Sequence, residues 1–374
     1  MRLRLARRTR RATLALAAVT VVSCGHDAAF SPRPYTPGQP AGVGPIVRLT
    51  FNPGADLDPV WLPDGTGFFY TMERLDRPDR DRCLAEMPGA GGSIAREICN
   101  RSAASADSVD AFSAATVTGG GQMVYDRASA PIEFTWPLAP RFHDLVLATL
   151  AQPERFSVVE SFPLLAPGGR THDEAVQIHW LDDRSFVYLA QSVHYVPLCR
   201  FCSPDTLHIG LEIARVDLGG PAPALSILPG TDQASSLTTV GSDTVYFTVY
   251  GDSRVFRLAL GSGALDVAFD FGAGATARDV QVSGRRLVAV VGGSVEFRVD
   301  SALGTIVRDR GGDVHVVDLP SGVDQPTPVG GLLFRHLALD PTGRVLIAEG
   351  GPIVIVGPDT TFLPAGDLWR LQLP

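Results

Sequence analysis

Short apolar runs separated by turn residues recur along the chain. In the first example, residues 60–62 (VWL) and residues 68–70 (FFY) flank the turn Pro63-Asp64-Gly65. Aromatic and β-branched residues favour strands, and Pro, Asp and Gly suit the central positions of a tight turn. The pattern therefore predicts a β-hairpin buried on both faces, in which Trp61 and Asp64 have structural roles.

Five further hairpins follow the same plan. They span residues 111–125, 180–188, 237–249, 280–291 and 337–348. Candidate third strands with an alternating pattern lie at residues 211–218, 255–260, 314–319 and 368–373, and candidate fourth strands at residues 94–99, 224–228 and 265–269. No long segment with helical periodicity competes with them. Six repeats of this kind predict an all-β fold, a β-propeller of six four-stranded blades.

The sixth repeat ends after its third strand. Residues 46–51 (IVRLTF) precede the first hairpin and belong to no repeat of their own. We expect this N-terminal strand to pair beside residues 368–373 and to complete the last blade. Closure of this kind removes an exposed sheet edge.

The stretch RLTFNPGADLDPVWLPDGTGFFY, residues 48–70, resembles the repeat of TolB-type, WD-repeat-like β-propellers. In that repeat a leucine-threonine strand leads through a loop to a tryptophan, a proline-aspartate-glycine turn and an apolar strand. Weaker matches occur at residues 178–188 and 337–348. The resemblance implies a propeller from residue 46 to residue 374. It implies no counterpart of the TolB amino-terminal domain.

The N-terminus has the pattern of an export signal. Six arginines precede an apolar run at residues 12–22, which ends in VVSCG at residues 21–25. This arrangement is typical of a secretion signal, and the run is too short for a permanent membrane span. The VVSCG motif resembles a bacterial lipoprotein signal, which predicts a signal peptide at residues 1–23 and lipidation of Cys24. The alternatives are an ordinary cleaved signal and an uncleaved membrane anchor.

Residues 24–45 are rich in Pro and Gly and predict a flexible tether. The propeller domain is therefore expected at residues 46–374. We expect a monomer in the cell envelope, held to the membrane by its lipid anchor and facing the periplasm or the cell exterior.

Composition excludes several functions. The 32 basic residues are all arginine, so lysine Schiff-base chemistry and a Walker-type phosphate loop are excluded. Removal of the six signal arginines leaves 26 basic residues against 40 acidic ones, a net charge of about −14. A surface of this charge repels nucleic-acid phosphates, so no nucleic-acid partner is expected.

The first candidate site is one rim of the ring. Insertions between the second and third strands are long in repeats two, three, five and six, and loops on a rigid scaffold often bind ligands. Acidic residues recur where the chain enters the inner strands: Asp58, Asp110, Asp173, Asp232 and Asp279. A ring of these at the channel mouth would bind calcium or a cationic peptide. The alternative is ordinary turn chemistry.

Four cysteines accompany Cys24, an even number that suits an oxidising compartment. Cys83 and Cys99 flank a glycine-rich turn at residues 89–92, and a hairpin there predicts a cross-strand disulfide.

Cys199 and Cys202 lie between His194 and His208. The spacing allows a local disulfide, a tetrahedral zinc site formed with the two histidines, or a redox-active pair. The disulfide is the preferred interpretation outside the cytoplasm.

No catalytic motif stands out. A Gly-x-Ser-x-Gly nucleophile elbow is absent, and the pairs His143-Asp144 and His172-Asp173 would point to opposite faces of their strands. The leading hypothesis is a non-catalytic binding or scaffolding module for a protein, peptide or glycan, without a cofactor. The alternative is a propeller hydrolase or lactonase that uses a metal, calcium or zinc, or carboxylates at the channel mouth.

Overall fold

Six antiparallel sheets of four strands each form a six-bladed β-propeller. The computed structural model describes residues 45–52, 54–73, 82–99, 108–131, 142–163, 172–196, 205–292, 296–300, 304–308, 311–356, 359–362 and 366–374. These residues form strands and turns, with no helix among them. Across the same ranges, no helical segment has the length and hydropathy needed to cross a bilayer.

The strands of each blade follow one another from the channel outward. Blade 1 contains β2 (Asp56–Trp61), β3 (Gly67–Glu73), β4 (Arg82–Pro88) and β5 (Arg96–Ile98). Blade 2 contains β6 (Ser108–Val117), β7 (Gln122–Pro131), β8 (Phe142–Thr149) and β9 (Gln152–Pro163). Blade 3 contains β10 (His172–Asp182), β11 (Ser185–Val196), β12 (Asp205–Asp217) and β13 (Ala224–Ile227).

The second half of the ring repeats this order. Blade 4 contains β14 (Ala234–Val240), β15 (Thr244–Val249), β16 (Arg254–Ala259) and β17 (Ala264–Asp270). Blade 5 contains β18 (Thr276–Ser283), β19 (Arg286–Gly292), β22 (Asp313–Asp318) and β23 (Val323–Thr327), with the hairpin β20 (Glu296–Asp300) and β21 (Gly304–Arg308) inserted. Blade 6 contains β24 (Leu332–Leu339), β25 (Val345–Val356), β27 (Asp367–Gln372) and β1 (Ile46–Arg48), and β26 (Asp359–Phe362) extends β25.

The N-terminal strand closes the ring, as the sequence predicted. Ile46 pairs with Leu371 and Arg48 pairs with Trp369, which makes β1 the outer strand of blade 6. The fourth strand of blade 1 is shorter than expected, since β5 covers only Arg96–Ile98.

The first hairpin turn owes its geometry to local chemistry. Gly65 adopts a φ of 69°, and the Oδ1 atom of Asp64 accepts hydrogen bonds from the backbone N–H and the hydroxyl of Thr66. Trp61 donates its Nε1–H to the carbonyl of Ala338 at 2.9 Å. Both residues therefore have the structural roles that the sequence predicted, and Trp61 also joins blade 1 to blade 6.

The core consists of six apolar clusters, one at each junction between neighbouring blades. Alternation along the strands produces this arrangement, because successive side chains point to opposite faces. In β3, Phe68 and Tyr70 pack against blade 6, whereas Phe69 packs against blade 2. Full burial of one such side chain contributes about 1.5–3 kcal/mol. The apolar runs of the sequence are therefore the walls of the blade junctions.

Polar side chains add hydrogen bonds across these junctions. Thr71 of blade 1 accepts from the backbone N–H of Ala114 in blade 2 at 3.2 Å. Asp279 of blade 5 accepts from the backbone N–H of Leu337 in blade 6 at 2.9 Å. Such bonds satisfy backbone amides of the inner strand of the neighbouring blade.

Candidate functional site

A cavity of about 320 Å³ lies in the central channel. All six blades contribute residues to its wall, and one from each inner strand makes up the set that we call the polar level: Asp58, Ala114, Gln177, Thr238, Gln281 and His336. From this level the cavity extends toward the hairpin turns that join the inner two strands of each blade, where Pro63 and Pro341 line it. Its size is at the lower end of the range for small-molecule sites.

Bulges in the inner strands shape this level of the channel. The pairing register shifts in β2, β6, β10 and β24, and at each shift one non-glycine residue has a left-handed conformation. These residues are Asp58 (φ 50°), Ala114 (52°), Gln177 (49°) and His336 (49°). A left-handed conformation outside glycine costs about 1–3 kcal/mol and is concentrated at functional sites. The bulges therefore mark this level as the candidate site.

His336 is the centre of a charged group in this wall. Its Nδ1 atom lies 2.9 Å from Oε2 of Glu349 and 3.5 Å from Oδ1 of Asp58. Glu349 is fully buried and accepts two hydrogen bonds from Arg335, at 2.8 and 2.6 Å. Burial opposes a charged imidazole, but the carboxylates of Asp58 and Glu349 outweigh it and raise the pKa of His336 to about 9. His336 is therefore a cation at neutral pH.

A second acidic group lies behind this one, at the junction of blades 1 and 6. Asp56 is fully buried, and within the described part of the chain neither carboxylate oxygen meets the geometry of a hydrogen bond. Burial above all, with the nearby carboxylates of Asp367 and Glu349, raises its pKa well above the ordinary value. Asp367 forms an ion pair with Arg48 at 2.6 Å. Burial thus favours the uncharged form of Asp56, which limits the repulsion among the carboxylates at this junction.

The polar groups that blades 3, 4 and 5 contribute to the wall are neutral. Oε1 of Gln177 accepts a hydrogen bond from the backbone N–H of Leu237 at 2.7 Å, so its NH₂ group is the part left for a ligand. Thr238 donates to Oε1 of Gln281 at 3.4 Å. Burial lowers the pKa of His179, which also lines the cavity, to about 4. This side of the channel therefore offers hydrogen bonds without net charge.

The predicted acidic residues lie in different environments. Four of them belong to the inner strands themselves and not to the connections before them: Asp58, Asp110, Asp173 and Asp279. Asp279 is buried, and its two oxygens accept from the backbone N–H groups of Val280 and Leu337. Asp232 is an exposed loop residue, and the side chains of Asp110 and Asp173 lie outside the described ones. Of the set, Asp58 lines the cavity.

The structure contains a disulfide between Cys83 and Cys99, with an S–S distance of 2.05 Å. The register of β4 and β5 explains it, because Leu84 pairs with Ile98 and the flanking cysteines are then opposite each other.

The other predicted cysteine site lies largely beyond the described residues. Cys24, Cys199 and Cys202 are outside them, and only the backbones of His194 and His208, on β11 and β12, are described. Among the described residues, the one group of three or more metal-ligating side chains close enough to share an ion is Cys83, Glu97 and Cys99. The disulfide occupies both thiols of that group.

The cavity and the long insertions lie toward opposite rims. The sequence favoured the insertion rim as the binding face, whereas the cavity extends toward the turn rim. On the insertion rim, the inserted strand β21 of blade 5 contacts β12 of blade 3. The cavity described above thus lies in the channel, toward the turn rim.

Sequence reasoning named Asp58 but missed His336, Glu349 and Gln177. The sequence does contain a signal for these residues, which is their spacing from the turn. In three repeats, the bulge residue lies four positions before the first residue of the turn. The pairs are Asp58 and Leu62, Ala114 and Thr118, and His336 and Asp340. Alignment of the repeats on their turns would have brought Asp58 and His336 to the same level.

This geometry defines a six-bladed β-propeller with a polar channel site. No family model and no curated protein matches the chain. The gluconolactonase XC5397 from Xanthomonas campestris is similar in structure, with a TM-score of 0.50, 15% identity and coverage of 91% of this chain and 99% of that chain. This likeness establishes the fold alone.

Two further solved structures are more distant. TolB from Acinetobacter baumannii has a TM-score of 0.43 and 13% identity, over 85% of this chain and 63% of that chain. An oligogalacturonate lyase in complex with manganese has a TM-score of 0.44 and 12% identity, over 92% of this chain and 97% of that chain. The neighbours of this fold thus include both enzymes and TolB proteins.

Proposed function

We propose that the protein is a lipid-anchored, extracytoplasmic β-propeller that binds a protein, peptide or glycan in its channel, without catalysis. The observation that supports this proposal is the cavity of about 320 Å³, to which all six blades contribute a side chain. A concave site with apolar walls and a few fixed polar groups is suited to binding. Residues on the inner strands of a closed ring are also held more rigidly than residues on loops.

The state of the described carboxylates favours binding over catalysis. A general base or a metal ligand needs an oxygen that is open to substrate or ion. Both oxygens of Glu349 are occupied by Arg335, and those of Asp279 by backbone amides. Asp58 differs from these two, since it lines the cavity beside His336.

A pull-down from envelope extract tests the binding function. The propeller domain is compared with Asp58→Asn and with the matched control Asp266→Asn, which changes an exposed carboxylate on the outer strand β17. We expect a ligand that the wild type and the control capture and that Asp58→Asn loses. Capture that is identical for all three proteins would contradict a channel site.

The pairing of Asp58 with His336 also supports a second candidate, a propeller hydrolase or lactonase that uses channel carboxylates or a metal. Elemental analysis of the purified protein for calcium and zinc, together with lactone hydrolysis assays, separates the two functions. Hydrolysis that Asp58→Asn abolishes would replace the binding proposal. Zinc that is lost in Cys199→Ser would establish the zinc site at Cys199 and Cys202.

The membrane anchor has its own test. The motif VVSCG at residues 21–25 supports lipidation of Cys24. We expect the wild type in the membrane fraction and Cys24→Ser outside it, with acyl labelling of the wild type alone. A Cys24→Ser variant that stays in the membrane would favour an uncleaved N-terminal anchor.

A further inference from the structure

We propose that the channel cavity binds a neutral saccharide unit. In this arrangement Asp58 accepts a hydrogen bond from one ligand hydroxyl, and His336 and Gln177 donate to neighbouring ligand oxygens. The inference rests on the proposed function, because it specifies the chemistry of the ligand that the channel takes.

Two donors face the cavity in a defined orientation. Oε1 of Gln177 is held by the backbone N–H of Leu237, which leaves the NH₂ group as its donor to a ligand. His336 directs Nδ1 toward the carboxylates of Glu349 and Asp58, so Nε2–H is on the other side of a ring that lines the cavity and is 30% exposed. The backbone and the ion pairs thus fix both donors before any ligand arrives.

Asp58 supplies an acceptor beside these donors. Its side chain is 19% exposed and lines the cavity, and one of its oxygens lies 3.5 Å from Nδ1 of His336. A carboxylate is an acceptor only, and an imidazolium is a donor only. A hydroxyl can act in either role, so adjacent hydroxyls of a sugar satisfy both groups at once.

The balance of charge around His336 disfavours an ionic ligand. Arg335 and His336 carry two positive charges, and Glu349 and Asp58 carry two negative ones. The other carboxylate of the lining, Asp340, is occupied by backbone N–H groups of its own turn. An acidic or basic ligand would lose its hydration on entering the cavity, and the site would offer it no unpaired charge of the opposite sign in return. This is unfavourable in a buried site. A neutral ligand with many hydroxyls avoids this cost.

Apolar side chains line the cavity between this polar level and the turn rim. They include Pro59, Val60, Val282, Leu339 and Pro341. The C–H faces of a sugar ring can pack on such a surface while its hydroxyls reach the polar level. The amphipathic wall thus matches the amphipathic character of a saccharide.

The test is saturation-transfer NMR and calorimetry on the propeller domain with neutral hexoses, N-acetylhexosamines and their disaccharides. Glucuronate and glucosamine serve as charged counterparts of glucose, and galacturonate and galactosamine as those of galactose. We expect at least one neutral saccharide to bind, and the charged counterparts to bind at least about tenfold more weakly. Asp58→Asn and Gln177→Glu should each weaken binding about tenfold or more, since each removes a hydrogen bond involving a charged or oriented group.

The variants are chosen to keep the fold. Gln177→Glu retains the acceptor for Leu237 while it removes the donor. Asp266→Asn is the control that should bind like the wild type. Thermal unfolding of every variant separates a variant that no longer folds from a folded variant that has lost ligand binding.

The outcomes separate this inference from the proposed function. Absence of binding to every neutral saccharide, tighter binding of a charged counterpart, or binding that Asp58→Asn and Gln177→Glu leave unchanged would each overturn the saccharide proposal. If the envelope pull-down still captures a protein or peptide in an Asp58-dependent way, the binding module stands without its saccharide ligand. If no capture depends on Asp58, both proposals fail.

Discussion

Replacement of Glu349 by Gln tests whether one buried carboxylate stabilises the channel wall. Glu349 is fully buried, accepts hydrogen bonds of 2.8 and 2.6 Å from Arg335, and lies 2.9 Å from His336. The amide removes the negative charge that both cations share and places an N–H donor against them. Removal of one partner from a buried ion pair costs about 3–5 kcal/mol. We expect the free energy of unfolding of Glu349→Gln to fall by this amount.

Urea unfolding at pH 7, followed by tryptophan fluorescence, measures this loss. An unfolding entropy of about 2.1 cal/mol/K per residue over roughly 330 residues converts it to a decrease in Tm of about 4–7 °C. The matched control is Asp266→Asn, which removes the exposed ion pair to Arg257 at 3.0 Å. Exposed pairs contribute less than about 1 kcal/mol, so the control should change little.

The pH dependence provides a second check. His336 loses its proton as the pH rises through about 9, so Glu349 then has one cation fewer to compensate. The difference in stability between the wild type and Glu349→Gln should therefore narrow between pH 7 and pH 10. A loss no larger than that of Asp266→Asn, or a difference that stays constant over this range, would refute the reasoning.

Three further predictions concern single features of the ring. The pKa of His336 is raised from 6.5 to about 9 on folding, so the charged imidazole stabilises the folded state fully below pH 6.5, and this stabilisation is lost as the pH rises through 9. In urea unfolding from pH 6 to pH 10, the free energy of unfolding of the wild type should therefore fall by up to about 3 kcal/mol from this group, and His336→Gln should abolish that fall. Asp279→Ala leaves the backbone N–H groups of Val280 and Leu337 without their acceptor and should cost about 1–3 kcal/mol; Asp279→Asn keeps one of the two acceptors and should lose less, so a stability of Asp279→Ala equal to that of the wild type would contradict this role. The double variant Cys83→Ser and Cys99→Ser opens a loop with a sequence separation of 16 and should lose about 3 kcal/mol, and a stability equal to that of the wild type would show that the disulfide adds nothing.

The architecture could be predicted because its signals are local and repeated. Pro63-Asp64-Gly65 determines a turn by itself, and the apolar runs on either side must be buried wherever the hairpin lies. The closing strand followed from counting, since residues 46–51 had no repeat of their own and the last repeat lacked a strand. None of these inferences needed the position of one side chain relative to another blade.

The site was only partly predictable because backbone bulges produce it. Bulges that place a residue in the left-handed region are usually signalled by glycine, but here Asp58, Gln177 and His336 occupy these positions. Asp and His adopt this conformation more often than most residues but far less often than glycine, so the local sequence does not mark these positions as bulges. In the sequence, Glu349 follows an apolar run and resembles the end of a strand. Its partners Arg335 and His336 can be identified only once β24 is paired with β25.

The closure of blade 6 by β1 has a kinetic consequence. Leu368 donates its backbone N–H to Thr50 across a separation of 318 residues, so β1 stays without its partner until nearly the whole domain is present. Pairing over such distances is slow, because chain entropy is lost before the contacts form. During synthesis the two edges of the unfinished ring remain exposed and can pair with other chains. The pairing of β1 with β27 is therefore the step at which folding competes with aggregation.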